Sequence, residues 1–154
     1  MGLLESKIAV ITGGGRGIGK ATAQLFTNEG ATVVIAEFDE VSGQSTANEL
    51  GAHFIKTDVS NEESVNALFN FVSSEFGQLD ILVNNAGILA DSTLKKLDPD
   101  SFDAVINVNL RGVYLCGRAA ADIMIEQGSG VILNASQLWR IRVILVKPIM
   151  LLVQ

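Results

Sequence analysis

Thr12-Gly13-Gly14-Gly15-Arg16-Gly17-Ile18-Gly19 is the segment that leaves this chain the fewest folds. The apolar run Ile8-Ala9-Val10-Ile11 leads into it and reads as a short buried strand. After it, Ile18, Ala21, Leu25 and Phe26 follow helical spacing up to a stop at Gly30. The glycines therefore stand where a strand turns into a helix. Gly13 supplies a backbone conformation that a side chain penalises. Gly17 lets a ligand approach the backbone, and Gly19 lets helix and strand pack closely. Free amides and the positive end of the helix dipole favour an anion at such a turn.

The rest of the chain repeats the alternation. Thr32-Val33-Val34-Ile35-Ala36 reads as a second strand, 40–50 as a helix, and His53-Phe54-Ile55 as a third strand. Ser60 and Glu63 have the spacing of a capping box, and open a helix with the stripe Val65, Leu68, Phe69, Val72 and Phe76. Gly77 closes it, and 79–83 reads as a fourth strand. A polar stretch over 91–100, with Asp98 and Asp100 as helix caps, leads into a long helix over 102–126. Residues 130–133 read as a fifth strand. This order with right-handed crossovers predicts an α/β fold, a doubly wound parallel sheet with helices on both faces. The length of 154 residues suits one domain.

Composition removes several function classes. A net charge of −6 gives no footprint for nucleic acid or an anionic membrane surface. One cysteine, Cys116, and one histidine, His53, exclude a disulfide framework and a Cys/His metal cluster, so no metal is expected. Cys116 reads as a small buried apolar residue and His53 as structural. The N-terminus lacks the charged and long apolar regions of a signal peptide, and a cytoplasmic location is expected. The apolar stretch 141–153 is short for a membrane span and is interrupted by Lys147 and Pro148.

The glycine-rich turn has the strand–turn–helix context of a Rossmann-type dinucleotide site. Glu37 ends the second strand, 18 residues after Gly19. A carboxylate there accepts hydrogen bonds from ribose hydroxyls and repels a 2′-phosphate, which favours NAD over NADP. Arg16 pulls the other way, because it can reach such a phosphate. The alternative for Glu37 is an ordinary solvated carboxylate.

Four more segments follow in order. Asp58-Val59 comes after the third strand, and Asn84-Asn85-Ala86-Gly87 after the fourth. Asn107-Val108-Asn109-Leu110-Arg111-Gly112 lies on the long helix, and Gly130-Val131-Ile132-Leu133-Asn134-Ala135-Ser136 ends the fifth strand. With the Thr-Gly-x-x-x-Gly-x-Gly turn, these resemble the classical short-chain dehydrogenase/reductase family over about residues 5–136. Within it the chain is most similar to 3-oxoacyl-(acyl-carrier-protein) reductases, through Gly87-Ile88-Leu89-Ala90-Asp91-Ser92 and residues 106–112. The resemblance implies an NAD(P)-dependent oxidoreductase acting on a small carbonyl or alcohol. It implies cofactor contacts from Gly13, Arg16, Gly17, Ile18, Gly19, Glu37, Asp58, Val59, Asn85, Ala86 and Gly87. A complete member uses a tyrosine as proton donor or acceptor, a lysine four residues later, a carbonyl-polarising serine, and an asparagine in a proton relay. Asn109 stands at the asparagine position. The serine position falls on Gln137, with Ser136 beside it as the only nearby substitute.

The tyrosine–lysine pair is absent from these 154 residues. The only tyrosine, Tyr114, lies upstream in the long helix, is followed four residues later by Arg118, and reads as packed helix surface. The composition also changes after Ser136. Residues 138–154 hold 12 apolar residues plus Arg140, Arg142 and Lys147, with no glycine and no acid. The chain thus divides into a partial dinucleotide-binding domain, 1–136, and an aberrant apolar tail, 137–154. A frame-shifted translation accounts for the tail. Read one base out of register, the Ser136–Gln137 junction admits Ser, and the next two junctions admit Val. Later junctions admit Gly-Asn-Leu-Gly-Gln-Thr-Asn-Tyr, ending at Ile149–Met150, which is 13 positions after the recovered serine. That is the family's spacing. At Val153–Gln154, where the lysine falls, no codon choice gives Lys. An alternative splice end, or a real apolar strand and helix, are the competing readings. Two partner surfaces are expected: the long helix, where family members dimerise, and the outer sheet edge. As it stands, the chain reads as catalytically incomplete, an NAD-binding module or an interaction partner of longer relatives. Sequencing the coding DNA is expected to reveal an open, family-like frame one base away from codon 136. Its absence removes the frame-shift reading.

Overall fold

The computed structural model describes residues 2–136. The tail at 137–154, with its frame-shift reading, lies outside the described residues. Five strands and their crossover helices alternate: β1 (Ile8–Thr12), α1 (Gly17–Asn28), β2 (Thr32–Glu37), α2 (Glu40–Leu50), β3 (His53–Lys56), α3 (Glu62–Phe76), β4 (Ile81–Asn84), α4 (Pro99–Ile106), α5 (Gly112–Gln127) and β5 (Val131–Asn134). The sheet order is β3-β2-β1-β4-β5, and every pairing is parallel. This is the doubly wound α/β fold expected from the sequence. The chain leaves β1 on one side to build β2 and β3, then returns to its other side to build β4 and β5. The crossovers part at β1 and β4, where Ile11 is in register with Val83. A crevice opens at the carboxyl ends of strands at such a switch point.

The central strands are apolar on both faces because helices cover both. Val10, Val34 and Leu82 pack with Val65, Leu68, Val72, Leu115 and Ala120 of α3 and α5. Their neighbours Ile11, Val33, Ile35 and Val83 pack on the opposite face with Ala23, Ala47 and Leu50 of α1 and α2. Cys116 is buried in the first of these clusters, and burial pushes its thiol up to about 12. His53 sits edge-on to Phe76 at 5.1 Å and tilted to Phe71, so its ring has a packing role.

Five local expectations are corrected. The buried side of α1 is Gly19 and Ala23, while Ile18 is 71% exposed and Leu25 57% exposed. Of the expected stripe, only Phe26 packs on the core. The reason is proximity: a Cβ on Gly19 would sit 2.1 Å from the Gly13 carbonyl oxygen, so only small residues fit beneath the helix. The cap of α3 is Asn61, whose side chain accepts from the Ser64 amide at 2.8 Å. Ser60 is diverted, because both its amide and its hydroxyl donate to Asp58, at 2.9 and 2.6 Å. The long helix begins at Pro99, capped by Asp98, and passes through a π turn over Asn107–Arg111. The Ser101 amide and hydroxyl hold the Asp98 carboxyl below the usual range, whereas Asp100 lies in the first turn. Tyr114 is 60% exposed and therefore not packed.

On β5, Ile132 packs inward while Val131 and Leu133 are about half exposed on the other face. Among the described residues, no helix is long and apolar enough to cross a membrane.

Replacing Asn61 with Ala is expected to cost about 1 kcal/mol of unfolding free energy. Replacing Glu63 with Ala should change it by less than about 0.5 kcal/mol. Urea unfolding of the two variants checks the assignment.

Candidate functional site

The carboxyl ends of β1, β2, β3 and β4 bring the glycine turn, Glu37, Asp58-Val59 and Asn85-Ala86-Gly87 to one cleft. Its volume is about 460 Å³, and its lining includes Gly13, Arg16, Glu37, Asp58, Val59, Asn85, Ala86 and Gly87. Behind the cleft, buried Thr12 Oγ1 accepts hydrogen bonds from the Asn85 and Ala86 amides, both at 3.0 Å, and donates to the Val83 carbonyl at 3.4 Å. Asn85 returns the link, its Nδ2 donating to the Thr12 and Gly13 carbonyls at 3.1 Å. Gly13 lies in the left-handed region at φ 66°, and a Cβ there would meet the Ala86 Cα at 2.9 Å. Two turns are thereby locked back to back across the switch point.

The glycine turn then rises against β2 and α2. Glu37 is 8% exposed. One of its oxygens accepts from the Gly15 amide at 3.1 Å, the other from the Phe38 and Asp39 amides at 2.9 and 3.2 Å. It is a bound, oriented carboxylate at the rim of the cleft, not a solvated one. Arg16 precedes α1 with extended backbone and makes no side-chain cap. The first amides of the helix are thus left to an incoming anion. Nothing lies within 4 Å of where a Cβ on Gly17 would be, so the backbone is open to approach at that point. Gly17, Ile18 and Gly19 form the first turn of α1 and do not line the cleft.

On the far wall, Asp58 holds Ser60, and the Ser64 hydroxyl accepts from the Asp58 amide at 3.0 Å. Val59 packs under Gly112, where a Cβ would meet Val59 Cγ2 at 2.8 Å. Arg111 Nη1 donates to the Ser60 carbonyl at 2.6 Å. The π turn is thus docked on the β3–α3 loop. Neighbouring Asn109 uses both ends of its amide on one residue: Oδ1 accepts from the Ile88 amide and Nδ2 donates to the Ile88 carbonyl, both at 2.9 Å. It fixes the segment after Gly87. Ser136 is exposed beyond the end of β5, with Ala135 tied to the Asn84 carbonyl at 2.9 Å; it does not line the cleft. Arg118, four residues after Tyr114, has its guanidinium held further toward the charged form by Tyr114 and by Glu62, to which it donates at 3.1 Å.

Two contributors were absent from the sequence-derived site. Thr12 was visible in the motif, but only its contacts reveal that it joins the two turns. Thr46, on α2, donates to the Gly15 carbonyl at 2.7 Å from 31 residues away, and no local pattern announces that. Among the described residues, no group of three His, Cys, Asp or Glu side chains could hold a metal ion.

A family profile described as short chain dehydrogenase matches residues 7–145. The chain belongs to the short-chain dehydrogenase family. An uncharacterized oxidoreductase of Thermotoga maritima is 44% identical over 137 residues, covering 86% of this chain and 54% of that protein. The (+)-cis,cis-nepetalactol synthase of Nepeta racemosa is 43% identical, with 86% and 52% covered. Among solved structures, the 3-ketoacyl-(acyl-carrier-protein) reductase of Brucella melitensis, complexed with NADH, matches with a TM-score of 0.84 and 40% identity. That match covers 87% of this chain and 58% of the reductase chain. The chain spans about half the length of the curated relatives it matches.

Thr12→Val is expected to cost about 1–3 kcal/mol, because it strands the Asn85 and Ala86 amides. Thr12→Ser should recover most of the loss. Chemical denaturation of both variants measures it.

Proposed function

We propose that this chain holds a nicotinamide dinucleotide in the cleft between β1 and β4, NAD in preference to NADP. The observation that carries the reading is the convergence of the open Gly17 backbone, the uncapped start of α1 and the Glu37 carboxylate along one rim. The fit is good for an elongated anion with a ribose at one end. Uncapped amides suit the pyrophosphate, and Asp58-Val59 borders the space left for adenine. Glu37, fixed by three amides, keeps one lone pair for a ribose hydroxyl, on the oxygen that accepts from Gly15. It also sets a negative charge against a 2′-phosphate. Arg16 on the same rim offers a weaker pull the other way. Asn85, Ala86 and Gly87 line the path toward the nicotinamide.

A nicotinamide held there would supply hydride transfer once the proton-transfer residues of a longer protein stood beside it. In a longer protein, these residues form the cofactor-holding part of an NAD(P)-dependent oxidoreductase that interconverts a carbonyl and a secondary alcohol. A 3-oxoacyl thioester is the proposed substrate class, on the likeness to the Brucella reductase. Asn109 is the residue of this chain proposed for the proton relay, its side chain holding the Ile88 segment, and Ser136 serves as the carbonyl-polarising serine only with a shift of the end of β5. As the 154 residues stand, without Tyr-x-x-x-Lys, the chain binds cofactor and does not turn it over. Residues 1–136 act as the cofactor domain, in the cytoplasm. A second reading is association with another chain, as a homo-oligomer or with a longer relative, through the long helix and the outer edge of β5. The half-exposed Val131 and Leu133 favour it.

Thermal unfolding with added cofactor tests the reading. NAD at a hundredfold excess over its dissociation constant is expected to stabilise by about 2.7 kcal/mol. NADP at the same concentration should stabilise less. Equal responses remove the NAD preference, and no response to either removes the dinucleotide reading. Oxidation of NADH with acetoacetyl thioester by the chain alone removes the non-catalytic part.

A further inference from the structure

Gly15 is gripped from both sides by residues of a neighbouring layer. Its amide donates to Glu37 at 3.1 Å, and its carbonyl accepts from the Thr46 hydroxyl at 2.7 Å. Thr46 is fully buried in α2, and that carbonyl is the partner its hydroxyl has. The fit is close: a Cβ on Gly15 would fall 2.8 Å from the Ser42 hydroxyl and 2.9 Å from Glu37 Cγ. The Gly15 carbonyl and the Arg16 amide belong to one planar trans peptide, so they point in opposite directions. Pinning the carbonyl onto α2 turns the Arg16 N–H away from α2, on the residue that lines the cleft.

We infer that Thr46 is a positioning residue for the anion-binding turn, fixing the Gly15–Arg16 peptide so that the Arg16 amide is presented to the cofactor's pyrophosphate. This rests on the dinucleotide reading above. Thr46 touches no ligand itself. Without its hydroxyl the peptide is free to rotate, and the donor is no longer held in place before binding. Preorganised donors to a charged group account for roughly tenfold in affinity each.

The test compares the wild-type chain, Thr46→Val and Thr46→Ser for binding of NADH, ADP-ribose and adenosine by fluorescence and displacement. Thr46→Val, which keeps the shape and loses the hydroxyl, should bind NADH and ADP-ribose about tenfold more weakly. Adenosine, which lacks the pyrophosphate, should bind it unchanged, and Thr46→Ser should restore both pyrophosphate-containing ligands. An equal loss for all three ligands means that Thr46 only supports the fold and overturns the inference. So does wild-type NADH affinity in Thr46→Val. A measurement on the unaltered protein stands beside these, in case Thr46→Val does not fold. Inorganic pyrophosphate should shift the Arg16 amide resonance of the wild-type chain, and an unmoved resonance overturns the inference. If the wild type binds no NADH at all, the dinucleotide reading fails and takes this with it. Binding by the wild type with an indifferent Thr46→Val removes the Thr46 role alone.

Discussion

The hydroxyl of Thr12 ties together the two halves of the chain at the place where they diverge. It accepts from two successive amides of the turn after β4, and Asn85 answers by donating to two carbonyls of the turn after β1. Each buried group left without a partner costs about 1–3 kcal/mol. The arrangement is therefore a strong local constraint on a domain whose total stability is about 5–15 kcal/mol. Its geometric consequence is larger than its energy. With both turns fixed to each other, the glycines and Asn85-Ala86-Gly87 face the same space, and the helices beyond them inherit fixed starting points. The cleft is the gap that this joint leaves.

A second layer of supports surrounds the joint. Arg111 and Gly112 dock the π turn on the loop that carries Asp58 and Val59. Asn109 clamps the backbone of Ile88. The pieces of the cleft are thus held by residues far away in sequence, on separate crossovers. This is how a parallel sheet builds a site: each loop brings one element, and packing between loops sets their spacing. The same scaffold serves a nepetalactol synthase and a 3-ketoacyl reductase among the similar proteins. Likeness at this level does not by itself assign a function, because one fold hosts many.

Much of this was legible in the sequence because the strongest signals are local. Ile8 to Gly19 spells strand, turn and helix in twelve residues, and helix α2 was placed at its observed ends. The errors arose where a local rule met a tertiary competitor. Ser60 and Glu63 obey the capping-box spacing, yet Asp58 takes the Ser60 hydroxyl and moves the cap to Asn61. Ile18 and Leu25 obey helical periodicity, yet the closeness of α1 to Gly13 hands its inner face to glycine and alanine. The π turn carries no periodic signal of its own. Nor does Thr46, whose role depends on a contact across two crossovers.

The grip on Gly15 has a consequence for how such a chain can change. Glu37 fills the space that a side chain at position 15 would occupy, and its carboxylate satisfies the Gly15 amide. Enlarging residue 15 first drives the new atoms into Glu37 and Ser42. Shortening Glu37 first opens that space, but strands the amides of Gly15, Phe38 and Asp39. The two positions are epistatic, and the order of substitution is set by geometry. A lineage enlarging position 15 must change both Glu37 on the β2 rim and Ser42 on α2, the first at a cost in stability.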